Sequence, residues 1–324
     1  VNRPLRRIEA LGSLAATVIS AALAPAVAGA QAAPVRVSLA SSANDDVTPV
    51  LYALSKGWFR DAGLDVDLQA ATNGAAVAAA VAGGTVDFGR SNVVPLITAH
   101  ARGIPFTLVA PSGSYFDGAG SSGRVIVNKS SAVQRPRDLN GLVVSVASLN
   151  DIQTIAARAW IDKDGGNSAT VKFLETNGVE AAVALDTGRV DAASLVAPLL
   201  TQLVQSGKYR VLGDPTSGVA SRLIEAAWFS TTAYTAKNPA VVKKFSSIIS
   251  RASSFCNDHP DQTVNLLAAF SHIDANTIAH APRDKYDLTL IPSDLQPLID
   301  AAARYGVIPR AFDSREFIDP NALS

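Results

Sequence analysis

Arg90 sits in the run V-D-F-G-R-S-N, residues 86–92, directly before the apolar stretch Val93 to Ala101. Pro95 is tolerated in a first helical turn, so that stretch reads as a helix whose free N–H groups face Arg90, Ser91 and Asn92. An arginine at such a corner can clamp a carboxylate, sulfonate or phosphate, helped by the helix start. Without a ligand it is an ordinary solvated charge. Thr72-Asn73-Gly74 offers a second helix start, with Thr72 or Asn73 capping the Ala/Val run that follows. Ser41, Asn44 and Asp45 lie in the polar run S-S-A-N-D-D, residues 41–46, where Asp45 or Asp46 can accept hydrogen bonds from a ligand. Capping of the next helix explains Asn44 or Asp45 equally well. Two adjacent carboxylates at the mouth of a site also repel an anion.

The signatures of covalent and metal catalysis are missing. The chain has no G-x-S-x-G, no G-x-x-x-x-G-K-[ST], no H-E-x-x-H and no paired C-x-x-C. His100, His259, His272 and His280 fall outside the polar loops, so no metal or other cofactor is expected. Cys256 is the only cysteine, which excludes an intramolecular disulfide and reads as a buried structural thiol. With 28 basic and 28 acidic side chains and no basic stripe, nothing points to nucleic acid.

The elements that carry these loops are written twice. Trp58 to Ser91 and Trp160 to Ser194 share an order: a tryptophan-bearing helix end, a glycine, an alternating stretch, Thr-Asn-Gly, an Ala/Val run and Gly-x-Val-Asp. The Thr-Asn-Gly triplets and the Val-Asp pairs keep one offset, since 178 − 74 and 191 − 87 both equal 104. Gly63, and Gly165 or Gly166, would end the helices; Val66 with Leu68, and Val171 with Phe173, alternate as strands do. Repeated strand–helix–strand units favour parallel sheets covered by helices, and two such sets predict two similar α/β lobes with mostly parallel sheets. A chain of 324 residues has room for both.

Around the repeats, Val35 to Leu39 reads as a first strand running into the 41–46 loop. Ligands of open α/β sheets bind at the carboxyl ends of parallel strands, which is where that loop falls. Ser148, Asn150 and Asp151 occupy the equivalent place before the Trp160 helix, so the two loops meet if the lobes face each other. Pro111 to Gly118 reads as a flexible polar crossover between lobes, bringing Ser114 and Tyr115, and Tyr115 or Phe116 could stack on a flat ligand. Val241, Val242, Phe245, Ile248 and Ile249 mark one face of a helix, in a C-terminal region that shows no chemistry. Arg3, Arg6 and Arg7 before an apolar run, with Ala28-Gly29-Ala30 after it, read as a cleavable signal peptide over residues 1–30.

The segment Lys56 to Val66, K-G-W-F-R-D-A-G-L-D-V, followed by T-N-G and then G-T-V-D-F at Gly84 to Phe88, resembles the periplasmic solute-binding proteins of ABC importers. Within these it is most similar to the group of nitrate, taurine and alkanesulfonate binders and thiamine-pyrimidine synthase-like proteins. The resemblance implies type II periplasmic-binding-protein architecture, with lobe 1 over 31–113 and 226–324, lobe 2 over 114–225, and hinge closure on a small molecule. It places the pocket on Ser41 to Asp46, Thr72 to Gly74, Arg90 to Asn92, Ser112 to Tyr115, Ser148 to Asp151 and Asp191 to Ser194. The implied role is a monomeric periplasmic binder of a small organic molecule, anionic or aromatic, that delivers it to an ABC permease in the inner membrane. The synthases of the group carry a cysteine-rich motif that this chain lacks. The rival readings are an enzyme on the same scaffold and an exported ligand sensor.

Overall fold

The computed structural model describes residues 33–117, 123–176, 178–196 and 199–322. The expected signal peptide and Asn177 of the second Thr-Asn-Gly lie outside these residues. Two five-stranded sheets organise the rest.

The first sheet is built from β1 (Val35–Ser41), α1 (Thr48–Ser55), the short α2 (Trp58–Asp61), β2 (Leu64–Ala70), α3 (Gly74–Ala82), β3 (Phe88–Asn92), α4 (Val93–Ala101) and β4 (Phe106–Phe116). The second contains β5 (Arg124–Asn128), β6 (Val143–Val146), α5 (Ile152–Lys163), β7 (Lys172–Glu175), α6 (Gly178–Asp186), β8 (Ala192–Leu195), α7 (Leu199–Gln205) and β9 (Tyr209–Gly213). The chain then returns to the first sheet as β10 (Arg222–Thr231). It finishes with α8 (Thr232–Lys237), α9 (Pro239–Asp258), α10 (Val264–Ser271), α11 (Ala275–His280) and α12 (Pro292–Arg304).

Strand order is β2-β1-β3-β10-β4 in one sheet and β7-β6-β8-β5-β9 in the other. Each has three adjacent parallel strands, then one antiparallel strand, then an edge. The shared order is the sequence repeat expressed as topology, and the chain forms two α/β lobes. Gly63, at φ 76°, and Gly165, at φ 82°, adopt the left-handed conformation that ends the helix before each repeated strand.

The polar segment after Ala110 leads toward the second sheet as expected, but as strand rather than flexible loop. β4 runs on through Phe116 because β10 pairs with it along its whole length, with Leu223 opposite Tyr115 and Ile224 opposite Ser114. The register shifts between Ile224 and Ala227 bend this ribbon where it leaves the sheet. Hydrogen bonding to a neighbouring strand overrode the Pro, Ser and Gly content that argued for a loop.

Helix α9 buries Val241, Val242, Phe245 and Ile249, the periodic face read in the sequence. Phe245 stacks on Phe88 at 4.7 Å between centroids and meets Trp228 edge-on at 5.5 Å. Such aromatic pairs add about 0.5–1.5 kcal/mol to the area they bury. Cys256, on the same helix, is buried, and burial pushes its thiol up to about 12. On the other side of the molecule, Ile152 and Ile155 of α5 join an apolar cluster with Leu298 and Ala302 of α12. Tyr305 Oη donates to Asp162 at 2.9 Å beside that contact. The C-terminal helix thus ties the second lobe to the first.

Candidate functional site

Between the lobes lies a cavity of about 420 Å³. Its walls come from the loop after β1, the end of β3, the start of α5, β8, β10, and the region from α10 to Asp284. Of the residues singled out in the sequence, Asn44, Asp45, Asp46, Asn92, Asp151 and Ser194 line it.

Asp151 is the N-cap of α5, where its carboxylate accepts from the Ile152 N–H at 2.6 Å. Burial raises its pKa, opposed by that N–H and by the nearby Asn92 side chain. Asn92 ends β3 in the first lobe and Asp151 caps α5 in the second, so the two line the cavity from opposite lobes. Ser194, on β8, is 2% exposed, and its hydroxyl finds no partner among the described residues.

Arg90 is not presented to the cavity as the sequence reading had it. It is 1% exposed, its Nη2 lies 2.5 Å from Asp46 Oδ1, and Nε and Nη2 donate to Ser41 and Ser42 Oγ at 3.2 Å each. The strand places its side chain on the inner face of the sheet, where a guanidinium persists only if fully paired. Burial lifts Asp46 to about 6 in spite of the Arg90 charge.

Asp45 is likewise committed. Arg283 grips it with Nε at 2.9 Å to both oxygens and Nη2 at 2.6 Å, and the Asp284 N–H donates to it at 2.7 Å. Thr48 Oγ1 adds a bond at 3.0 Å. Asp45 thereby pins residues 283–284 to the rim of the cavity.

The remaining candidates stand elsewhere. Asn73 caps α3, accepting from the Ala76 N–H at 2.9 Å, and Thr72 and Asn73 are exposed. Gly74 leaves no room for a side chain, because a Cβ there would collide with the Ser91 hydroxyl. Ser91 and Ser114 are buried with hydroxyls unpartnered among the described residues, away from the cavity wall. Tyr115 is 1% exposed inside the core, so it has no ring face to offer a ligand; its hydroxyl reaches Asp117 at 3.5 Å. Ser41 is buried against Arg90. Ser148 and Asn150 form the turn before α5, with Thr154 Oγ1 donating to the Ser148 carbonyl at 2.9 Å. Asp191 accepts from the Val143 N–H at 2.9 Å and belongs to the sheet.

Sequence reading missed Glu225, Thr216, Arg283, Asp284 and the apolar wall of Leu267, Ile273 and Ile278. Two signals were present: an acid inside the apolar run L-I-E-A-A-W-F, and the charged stretch A-P-R-D-K-Y-D between two helical patterns. Burial drives Glu225 up to about 8, reinforced by Asp214, Asp46 and Asp151 and opposed by Arg124. Asp284 is pushed well above the carboxylate range by burial, and then by Asp45, Asp46 and Glu225. A cleft with this lining can hold and desolvate a small molecule. Among the described residues no group of three or more His, Cys, Asp or Glu is arranged to hold a metal ion, and no helix is long and apolar enough to cross a membrane.

Known proteins share this architecture. The periplasmic aliphatic sulphonate binding protein SsuA of Escherichia coli superposes with a TM-score of 0.73 at 18% identity, covering 90% of this chain and 94% of its own. A Bacillus subtilis protein assigned as an aliphatic sulfonates-binding protein is 24% identical over 283 residues, which is 84% of this chain and 83% of that one. A 4-amino-5-hydroxymethyl-2-methylpyrimidine phosphate synthase of Saccharomyces cerevisiae is 37% identical, but over only 62 residues, 19% of this chain and 18% of the yeast protein. The fold is that of the periplasmic binding proteins. Residues 44–263 match the family model described as NMT1/THI5 like, a span that holds both sheets except β1, and the chain belongs to that family.

Proposed function

We propose that the protein is the extracytoplasmic solute-binding component of an ABC importer: it captures a small organic molecule between its lobes and delivers it to a permease in the inner membrane. The observation that carries this reading is the cavity of about 420 Å³, walled by both lobes, with Asn92 on one side and Asp151 on the other. That volume suits a ligand of drug-like size or smaller, and closure of two lobes over it removes the water that would compete for its polar groups. Such a binder acts in the periplasm, as a monomer and without a cofactor. Its binding-protein relatives, matched over most of their length, favour capture over catalysis.

Native mass spectrometry of the protein purified from periplasm tests the reading. The expected result is a one-to-one complex that releases an unmodified compound on denaturation. Turnover of the compound, or a covalent adduct, would overturn it. Stimulation of the ATPase of a reconstituted importer by the loaded protein tests delivery.

A further inference from the structure

Five carboxyl groups line the cavity: Asp45, Asp46, Asp151, Glu225 and Asp284. Against them stand two guanidiniums, Arg283 on the wall and Arg90 behind Asp46, and each is engaged by one of the two neighbouring aspartates. The balance leaves an excess of three acids. Arg124 does not change it, since it pairs with Asp214 at 3.1 Å and the two cancel. A sulfonate or carboxylate entering here would find no guanidinium free of an aspartate to pair with.

Ser194 is a second, independent observation. It lies on the opposite lobe from Asp45, is 2% exposed, and carries a hydroxyl with no partner among the described residues. A buried hydroxyl left unpaired carries a desolvation cost that a hydrogen-bonding ligand removes. Ile152, Val196, Leu267, Ile273 and Ile278 give the wall an apolar part.

We propose that the cleft recognises an organic cation, a protonated amine or amidine carried on an apolar body, with Glu225 and Asp284 as its counter-charges and Ser194 completing its hydrogen bonds. This rests on the solute-binding reading above and specifies its ligand. The physical consequence is a coupled proton release. Without a ligand, burial, together with the charges of Asp45, Asp46, Asp151 and Asp214 and only partly offset by Arg90 and Arg124, keeps protons on Glu225 and Asp284. A cation between them favours the ionised forms and expels a proton.

The test is isothermal calorimetry at pH 7 with shape-matched pairs: benzylamine against benzenesulfonate and benzoate, and hexylamine against hexanesulfonate and hexanoate. Measurement in buffers of different ionisation enthalpy reads the proton. The expected outcome is binding of the amines alone, with proton release, and a loss of tenfold or more in amine affinity for Glu225→Gln and a smaller loss for Ser194→Ala. Tighter binding of a sulfonate or carboxylate would overturn the cation assignment while leaving solute capture intact. So would amine binding that neither variant weakens. If no compound binds, the cation assignment falls for these shapes, and the mass of the co-purified solute decides the capture reading by itself.

Discussion

Asp87 and Asp191, 104 residues apart, make the same contact in the two sheets. Asp87 accepts from the Ser38 N–H of β1 at 2.8 Å while its own N–H donates to the Ser38 carbonyl at 2.9 Å. Asp191 accepts from the Val143 N–H of β6 at 2.9 Å and donates to the Val143 carbonyl at 2.8 Å. The aspartate of each Val-Asp pair therefore clasps the middle one of its sheet's three parallel strands. Asp87→Ala and Asp191→Ala should each lower stability by about 1–3 kcal/mol, the cost of an orphaned strand N–H and a lost charge-assisted bond. Urea unfolding measures it, and ligand affinity should be unchanged in the folded fraction.

Arg90 is a structural residue in this arrangement. Arg90→Ala leaves Asp46 buried without its counter-charge and should cost about 3–5 kcal/mol in chemical unfolding. Arg90→Gln combined with Asp46→Asn should lose markedly less, because no isolated charge remains. Equal losses in the single and double variants would mean that packing, rather than charge, dominates at this position.

Asn92 and Asp151 line the cavity from opposite lobes, and the Asn92 side chain favours the ionised Asp151 carboxylate. Asn92→Ala should shift the protein toward an open form by about 1 kcal/mol. Small-angle scattering reads this as a larger radius of gyration in the absence of ligand, with the original value restored when ligand is added. No change in scattering would mean that the α5–α12 contact and the Tyr305–Asp162 bond, rather than Asn92, set closure.

Glu225 gives stability a definite pH dependence. Its pKa is raised to about 8 in the folded protein, against about 4.3 in an unfolded chain. Below the lower value both states hold the proton and the contribution is fully present. Between the two values only the folded state holds it, so stability falls as pH rises, and the loss is complete above 8. Asp46, raised to about 6, acts in the same direction over a narrower window. The slope from one such group is at most about 1.4 kcal/mol per pH unit. Urea midpoints between pH 6 and 8.5 should fall for the unaltered protein and fall less for Glu225→Gln.

Much of the scaffold was legible in the residue order, because its determinants are local. The glycines at 63 and 165, the Asn73 cap, the alternation in β2 and the helical face of α9 each act within a few residues of where they are read. The repeat then carried the two-lobe conclusion, since one supersecondary pattern written twice folds twice. Asn44, Asp45, Asp46, Asn92, Asp151 and Ser194 were found at the cavity for the same reason: they end or begin repeated elements at the carboxyl edges of the strands. What the tertiary structure decided was which polar groups remain available there. Arg90 was assigned to a ligand, but Asp46 lies 2.5 Å from it only once β3 is set beside β1. Asp45 is occupied by Arg283, 238 residues away, and Glu225 reaches the cleft because β10 crosses back into the first sheet. Charge pairing depends on distances of a few ångströms between residues far apart in the chain, so no local pattern encodes it. The sequence alone determined the elements and their ends; the folded chain determined the charge of the space between them.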